Sequence, residues 1–157
     1  MKHKLGIVQA VYYEDIASEM WSGALAEIHK DKDKIIGDIE DFYVSGVFEI
    51  PVIISKNIEK FDAFIALGCV IKGETPHFKF ISKSTIDGIM KLSIDHKKPI
   101  GNGIITCLNK KQARERADQN KKNKGGETAR AVISVLRNSY NNRDKYEKLF
   151  TRNKNKS

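Results

Sequence analysis

Ala66-Leu67-Gly68-Cys69-Val70-Ile71-Lys72-Gly73-Glu74-Thr75-Pro76-His77-Phe78 decides how this chain must fold, because an apolar run ends there in glycine, threonine and histidine just before a helical pattern begins. From Phe64 to Ile71 the apolar residues run nearly continuously instead of alternating, the mark of a strand buried on both faces of a parallel sheet. Thr75, Pro76 and His77 fall where the next helix should start, with unpaired backbone N–H groups and the positive end of the helix dipole. Gly73 leaves the backbone open to close approach. Such a turn is either a plain β-to-α connection, with glycine for its dihedrals and threonine as cap, or a cradle for an anion.

Strand and helix patterns alternate on both sides of this stretch. Lys4 to Val11 reads as a first strand, and Ile16, Met20, Ala24 and Ile28 mark one face of the helix after it. Between them, Tyr12 and Tyr13 are either an aromatic wall for a flat ligand or amphipathic residues at the rim of the core. Ile35 to Val44 reads as a second strand that ends in Ser45-Gly46-Val47-Phe48-Glu49-Ile50-Pro51. Gly46 permits close backbone approach. Glu49 is a carboxylate among apolar neighbours that needs a partner, such as ligand hydroxyls, unless it serves the first turn of the short helix that Pro51 opens and that runs to Lys60.

After His77, the residues Phe78, Ile81, Thr85, Ile89 and Leu92 recur at helical spacing as far as His96, and Ile100 to Leu108 forms the fourth strand. Within it Asn102 is an amide flanked by glycines, where a plain core strand would carry a branched residue. It lines a pocket or marks a bulge, and the pocket is the preferred reading. Asn109 caps the next helix, with Ala113 and Ala117 as its apolar face. A polar turn over 118–123 precedes a long C-terminal helix from Glu127, and the polar residues 151–157 read as a frayed tail. This order predicts a single domain over 1–157, a three-layer α/β sandwich with a four-stranded parallel sheet flanked by helices. Such folds bind ligands at the carboxyl ends of their strands.

Composition narrows the function classes. Of the 157 residues, 40% are hydrophobic and 31% charged, values of a soluble globular chain, and no stretch approaches membrane-spanning length or reads as a signal peptide. Cys69 and Cys107 fall in buried strands, which suits reduced thiols in the cytoplasm. The net charge of +8 is concentrated in positions 110–157, with 15 Lys/Arg against 5 Asp/Glu. No nucleic-acid recognition module surrounds the lysines at 121, 122 and 124, so the charge reads as a solvated face or as attraction for a phosphorylated small molecule. There is no Walker lysine motif, no GxGxxG fingerprint and no metal-ligand spacing. What remains is one expected rim, shared by Tyr12, Tyr13, Gly46 to Glu49, Gly73 to His77 and Asn102, carrying an aromatic wall, a carboxylate, a histidine and an anion site.

Three separated motifs occur together: Gly46-Val47-Phe48-Glu49-Ile50-Pro51, then Leu67 to Phe78, then Glu115-Arg116-Ala117 followed by Asn123-Lys124-Gly125. In that order, over nearly the whole chain, they resemble the lumazine synthase family of riboflavin biosynthesis, and the resemblance implies a flavodoxin-like fold. It implies a cytoplasmic transferase that joins 5-amino-6-(D-ribitylamino)uracil to 3,4-dihydroxy-2-butanone 4-phosphate, giving 6,7-dimethyl-8-ribityllumazine with loss of phosphate and water. Neither a metal nor an organic cofactor is implied. Carried over by motif, Tyr12 stacks on the pyrimidine, and Gly46, Val47, Phe48 and Glu49 meet the ribityl chain. Cys69, Val70 and Ile71 flank the ring, and Gly73, Glu74 and Thr75 hold the phosphate. His77 transfers protons, Arg116 reaches the phosphate from a neighbouring subunit, and Lys124 lies nearby. Asn102 stands where many members have a pocket phenylalanine, a departure that alters ring packing and leaves the chemistry in place.

Those roles suit the reaction on chemical grounds. Condensing an amine with a ketone and expelling phosphate needs proton transfers near neutral pH, which suit imidazole, and charge neutralisation, which suits a helix start plus arginine. A non-catalytic flavin- or lumazine-binding protein of the same fold and a basic helper protein for nucleic acid are the alternatives. Retention of Thr75, His77 and Arg116 together favours the enzyme, since a binder of the ring product needs no phosphate site. The resemblance further implies a homopentamer with shared active sites, its product passed to riboflavin synthase, with no part for nucleic acid or membrane. An isolated pentamer is expected over a shell of sixty. The chain opens almost directly on its first strand, its 118–123 turn lacks glycine, and its clustered lysines repel.

Overall fold

The computed structural model describes residues 2–138, so the tail expected to fray at 151–157 lies outside the described residues. Strands β1 (His3–Ala10), β2 (Ile36–Val44), β3 (Ala63–Ile71) and β4 (Ile100–Cys107) alternate with helices α1 (Glu14–Lys30), α2 (Ile50–Asn57), α3 (His77–His96), α4 (Lys110–Ala117) and α5 (Lys124–Arg137). A single 3-10 turn, Val47–Glu49, joins β2 to α2. All strand pairs are parallel, in the order β2-β1-β3-β4. Because β3 lies between β1 and β4, every residue from Ala63 to Cys69 is buried, which is why its sequence shows no polar alternation.

Successive side chains leave the sheet on opposite faces and build two cores. Leu5, Ile7, Ile65, Leu67, Cys69, Ile105 and Cys107 pack against Ile16, Met20, Ala113 and Val132 of α1, α4 and α5. Val8, Ala10, Phe64, Ala66 and Ile104 pack against Ile50, Ile54 and Ile89 of α2 and α3. Phe64, Ile65 and Leu67 are fully buried, each removal from water contributing about 1.5–3 kcal/mol. The expected three layers are therefore present.

Helix starts differ in how they are closed. Asn109 Oδ1 accepts the Gln112 N–H at 2.9 Å, the expected cap of α4. Helix α5 begins at Lys124, three residues ahead of the expected Glu127, because Asn123 caps it in a left-handed conformation with φ 47° and accepts the Gly126 N–H at 3.1 Å. The 118–123 turn thus makes its left-handed step on asparagine without a glycine. By contrast α3 has Pro76 at its N-cap position and no side-chain cap. Thr75 Oγ1 lies 3.4 Å from the His77 nitrogen, too far for a strong cap.

The β3–β4 register runs unbroken from Phe64 opposite Ile100 to Ile71 opposite Cys107, so no bulge surrounds Asn102. Its flanking glycines serve packing instead. A Cβ on Gly101 would lie 2.6 Å from Thr128 Cγ2, and one on Gly103 would lie 2.6 Å from the Ala66 carbonyl oxygen. Both positions seat α5 and β3 tightly against β4.

Candidate active site

The rim is assembled by a missing side chain. A Cβ on Gly68 would stand 2.5 Å from Val47 Cγ1 and 3.2 Å from Ala10 Cβ, so glycine there lets the 3-10 turn settle over the ends of β1 and β3. Val47 is buried by this contact, while Phe48 and Glu49 face solvent. The expectation that Glu49 is embedded in an apolar setting is thereby corrected. Its apolar neighbours Val47 and Ile50 turn inward and leave the carboxylate outside, with no hydrogen-bond or ion-pair partner among the described residues. Gly46 lies beneath it, since a Cβ there would be 3.2 Å from Glu49 Oε2.

Tyr12 and Tyr13 meet edge to face, with ring centroids 4.9 Å apart and planes at 82°. Tyr13 packs on the core, and burial, with the neighbouring Tyr12 and Cys69, raises its phenol pKa. Tyr12 is 76% exposed and is the ring available for stacking. On the neighbouring strand, Val70 and Ile71 are half-buried at the end of β3. Cys69 points into the core. Burial first, then the adjacent Cys107, push its thiol up to about 12, so it is a packing group and not a nucleophile at neutral pH.

The Lys72 N–H makes the last rung of the sheet, donating to the Cys107 carbonyl at 2.9 Å. Beyond it the N–H groups of Gly73, Glu74 and Thr75 donate to no group among the described residues, and a Cβ on Gly73 would meet nothing within 4 Å. His77 is exposed at the first position of α3. Three free N–H groups in the turn just before an uncapped helix start can receive an anion, and the exposed imidazole that follows can move a proton.

Arg116 and Asn102 lie elsewhere. The bonds Phe64 N–H to Pro99 and Lys72 N–H to Cys107 fix the alternation of β4, so odd-numbered residues bond β3 and even-numbered ones face away from it. On that outer edge Asn102 Oδ1 accepts the Ile104 N–H at 3.1 Å. Arg116 Nη1 donates to the Thr106 carbonyl at 2.6 Å and approaches Cys107 Sγ at 3.7 Å. Asn102 stands five residues before the end of β4 and is exposed, so its expected place on the rim of the same chain is corrected. The pattern of residues could not reveal that β4 is an edge strand. Arg116 sits one strand beyond the Gly73–Thr75 turn, and Lys124 pairs with Glu127 at 3.0 Å. One chain therefore brings together Tyr12, Gly46 to Glu49, Val70, Ile71, Gly73 to Thr75 and His77, and does not bring Asn102, Arg116 or Lys124 to them.

Sequence reasoning gave no part to Asp15 and Glu19, which from α1 contact α4 and Gln119, two residues past its end. Their spacing of four residues was the available signal. Among the described residues no group of three or more His, Cys, Asp or Glu is placed to hold a metal ion, and no helix is long and apolar enough to cross a membrane.

A parallel sheet ordered β2-β1-β3-β4, covered on both faces and open at its carboxyl rim, defines the flavodoxin-like class of α/β ligand-binding folds. The family model described as 6,7-dimethyl-8-ribityllumazine synthase matches residues 2–139, and the chain belongs to that family. It is similar to 6,7-dimethyl-8-ribityllumazine synthase 1 of Rhodopseudomonas palustris, 41% identical over 139 residues that cover 83% of this chain and 82% of the relative. The synthase of Bartonella tribocorum is 38% identical over 133 residues, covering 83% and 85%. That of Afipia carboxidovorans is 41% identical over 138 residues, covering 83% and 82%.

Proposed function

We propose that this chain is a working lumazine synthase, a transferase that condenses 5-amino-6-(D-ribitylamino)uracil with 3,4-dihydroxy-2-butanone 4-phosphate to 6,7-dimethyl-8-ribityllumazine, releasing phosphate and water. The observation that carries the reading is the open Gly73–Thr75 turn with His77 beside it, in a chain of this family. The phosphate rests on the free N–H groups of Gly73, Glu74 and Thr75 and on the Thr75 hydroxyl. The uracil ring stacks on Tyr12 and lies over Val70 and Ile71. The ribityl hydroxyls bond backbone groups of the 3-10 turn and the exposed Glu49 carboxylate.

His77 then relays protons as the amine adds to the ketone, as water leaves and as phosphate is expelled. Much of the acceleration comes from holding two substrates in one rim, so the imidazole carries a modest share.

The proposed assembly is a homopentamer. It is supported by the positions of Arg116, Asn102 and Lys124, which leave one chain's rim without its arginine while Arg116 faces outward on the β4 edge. A closed ring brings that edge to the next chain's rim. A shell of sixty is the less favoured arrangement, since the lysines at 121 and 122 repel when rings stack. The proposal places the enzyme in the cytoplasm, where thiols such as Cys69 and Cys107 stay reduced, and its product goes to riboflavin synthase.

The test is to mix the purified chain with both substrates and follow lumazine absorbance and free phosphate. Equal amounts of both are expected, whereas ligand binding without turnover would assign a binding protein instead.

A further inference from the structure

We propose that Glu19 is a positioning residue for the phosphate half of the reaction, holding the end of α4 so that Arg116 presents its free guanidinium nitrogens outward; this rests on the phosphate role of Arg116 given above. Helix α4 has eight residues and buries only Ala113 and Ala117, too little apolar surface to fix its direction by packing. Between α1 and α4 runs an open groove of about 440 Å³ bordered by Asp15, Glu19, Arg114, Ala117, Asp118 and Asn120. The seam is bridged by polar contacts where it is not filled.

Those contacts come from one stripe of α1. Asp15, Glu19 and Gly23 are spaced four apart and share a face. The Asp15 carboxylate stands 3.8 Å from Lys110 Nζ and 3.7 Å from Arg114 Nε, exposed pairs that hold weakly. Glu19 Oε1 accepts the backbone N–H of Gln119 at 3.1 Å and its side-chain amide at 3.4 Å. Gly23 leaves room for Asn123, the cap of α5, whose oxygen would collide with a Cβ there. Of the three anchors, Glu19 alone makes a charge-assisted bond to backbone, half-buried, just past the helix.

Gln119 follows Arg116 by three residues, so this bond restrains the turn of helix from which Arg116 projects. Arg116 spends Nη1 on Thr106 and Cys107, and its Nε and Nη2 make no hydrogen bond among the described residues. That free pair of donors matches two oxygens of a phosphate, provided that the helix does not tilt.

The experiment compares Glu19→Ala, Glu19→Gln and Arg116→Ala in the full chain, with each substrate varied in turn. Glu19→Ala should raise KM for the phosphorylated ketone about five- to tenfold, the factor that one net hydrogen bond converts to. The kcat and the KM for the ribitylaminouracil should stay within about twofold. Glu19→Gln, whose amide oxygen still accepts the Gln119 N–H, should recover most of the loss. Should Glu19→Ala not fold, Glu19→Asp, which shortens the bridge by one carbon, carries the same selective rise at about two- to threefold.

A raised KM in Arg116→Ala with none in the Glu19 variants would overturn the positioning role, as would equal losses for both substrates accompanied by a lower Tm. An unchanged KM in Arg116→Ala would overturn the phosphate reading itself, and this inference with it.

Discussion

The rim at the ends of β1 and β3 and the outer edge of β4 carry the two halves of the proposed site, and they are built in opposite ways. On the rim, Tyr12, Glu49 and His77 are exposed, and the N–H groups of Gly73 to Thr75 have no partner among the described residues. On the edge, Asn102 is bound to Ile104 and Arg116 to Thr106. Recognition resides on the rim and orientation on the edge. Open groups have bonding capacity to give to a ligand, whereas tied groups hold a direction in advance and reduce the ordering cost of binding.

The largest effect that probes this contrast is on the rim. His77→Ala should lower kcat by about 10- to 100-fold, the low end for a general acid or base, without changing the assembly. Wild-type turnover would remove the imidazole from the chemistry. Next, Glu49→Gln should weaken ribitylaminouracil binding by about 1–3 kcal/mol, the range for a hydrogen bond to a charged group, and calorimetry giving equal affinities would refute that placement. On the edge, Arg116→Ala should act mostly on the phosphorylated substrate, raising its KM by about tenfold with a smaller change in kcat. Equal KM values would leave the edge without a catalytic partner.

The smallest effect separates the rim's chemistry from the core beneath it. The Cys69 thiol titrates near 12 in the folded chain, because burial disfavours the thiolate, and at about 8.5 in an unfolded one. The folded state therefore binds more protons than the unfolded state between those values. Its contribution to stability is complete below about pH 8.5 and is lost as pH rises toward 12. Denaturant titrations at pH 8 and 10 should show a drop that is smaller in Cys69→Val. The two proteins should turn over alike at pH 7, and a slower Cys69→Val would mean that the thiol reaches the substrate.

Most of the fold was legible in the sequence because its signals are local. The continuous apolar run of β3 reported burial on both sides, and Asn109 reported the start of α4. The rim was legible for the same reason, since Gly46, Gly73 and His77 sit at strand ends whatever the strand order. What could not be read depends on distant residues. Gly101 and Gly103 signalled a pocket, but they make room for Thr128 and Ala66. Glu49 has apolar neighbours in sequence, yet the 3-10 turn points Val47 inward and Glu49 outward. Asn102 was misplaced because nothing in β4 itself says that one side of it lacks a neighbour.

If the open rim of one chain is completed by the tied edge of another, mixing of variant subunits restores activity. His77→Ala and Arg116→Ala would be dissociated together, reassembled in equal amounts and assayed with the phosphorylated substrate held below the wild-type KM. In a ring with shared sites, about a quarter of the sites combine an intact rim with an intact edge, so the mixture should exceed the mean of the two variants assayed alone. Activity equal to that mean, after exchange of subunits has been verified, would show that each chain completes its own site and that no site is shared.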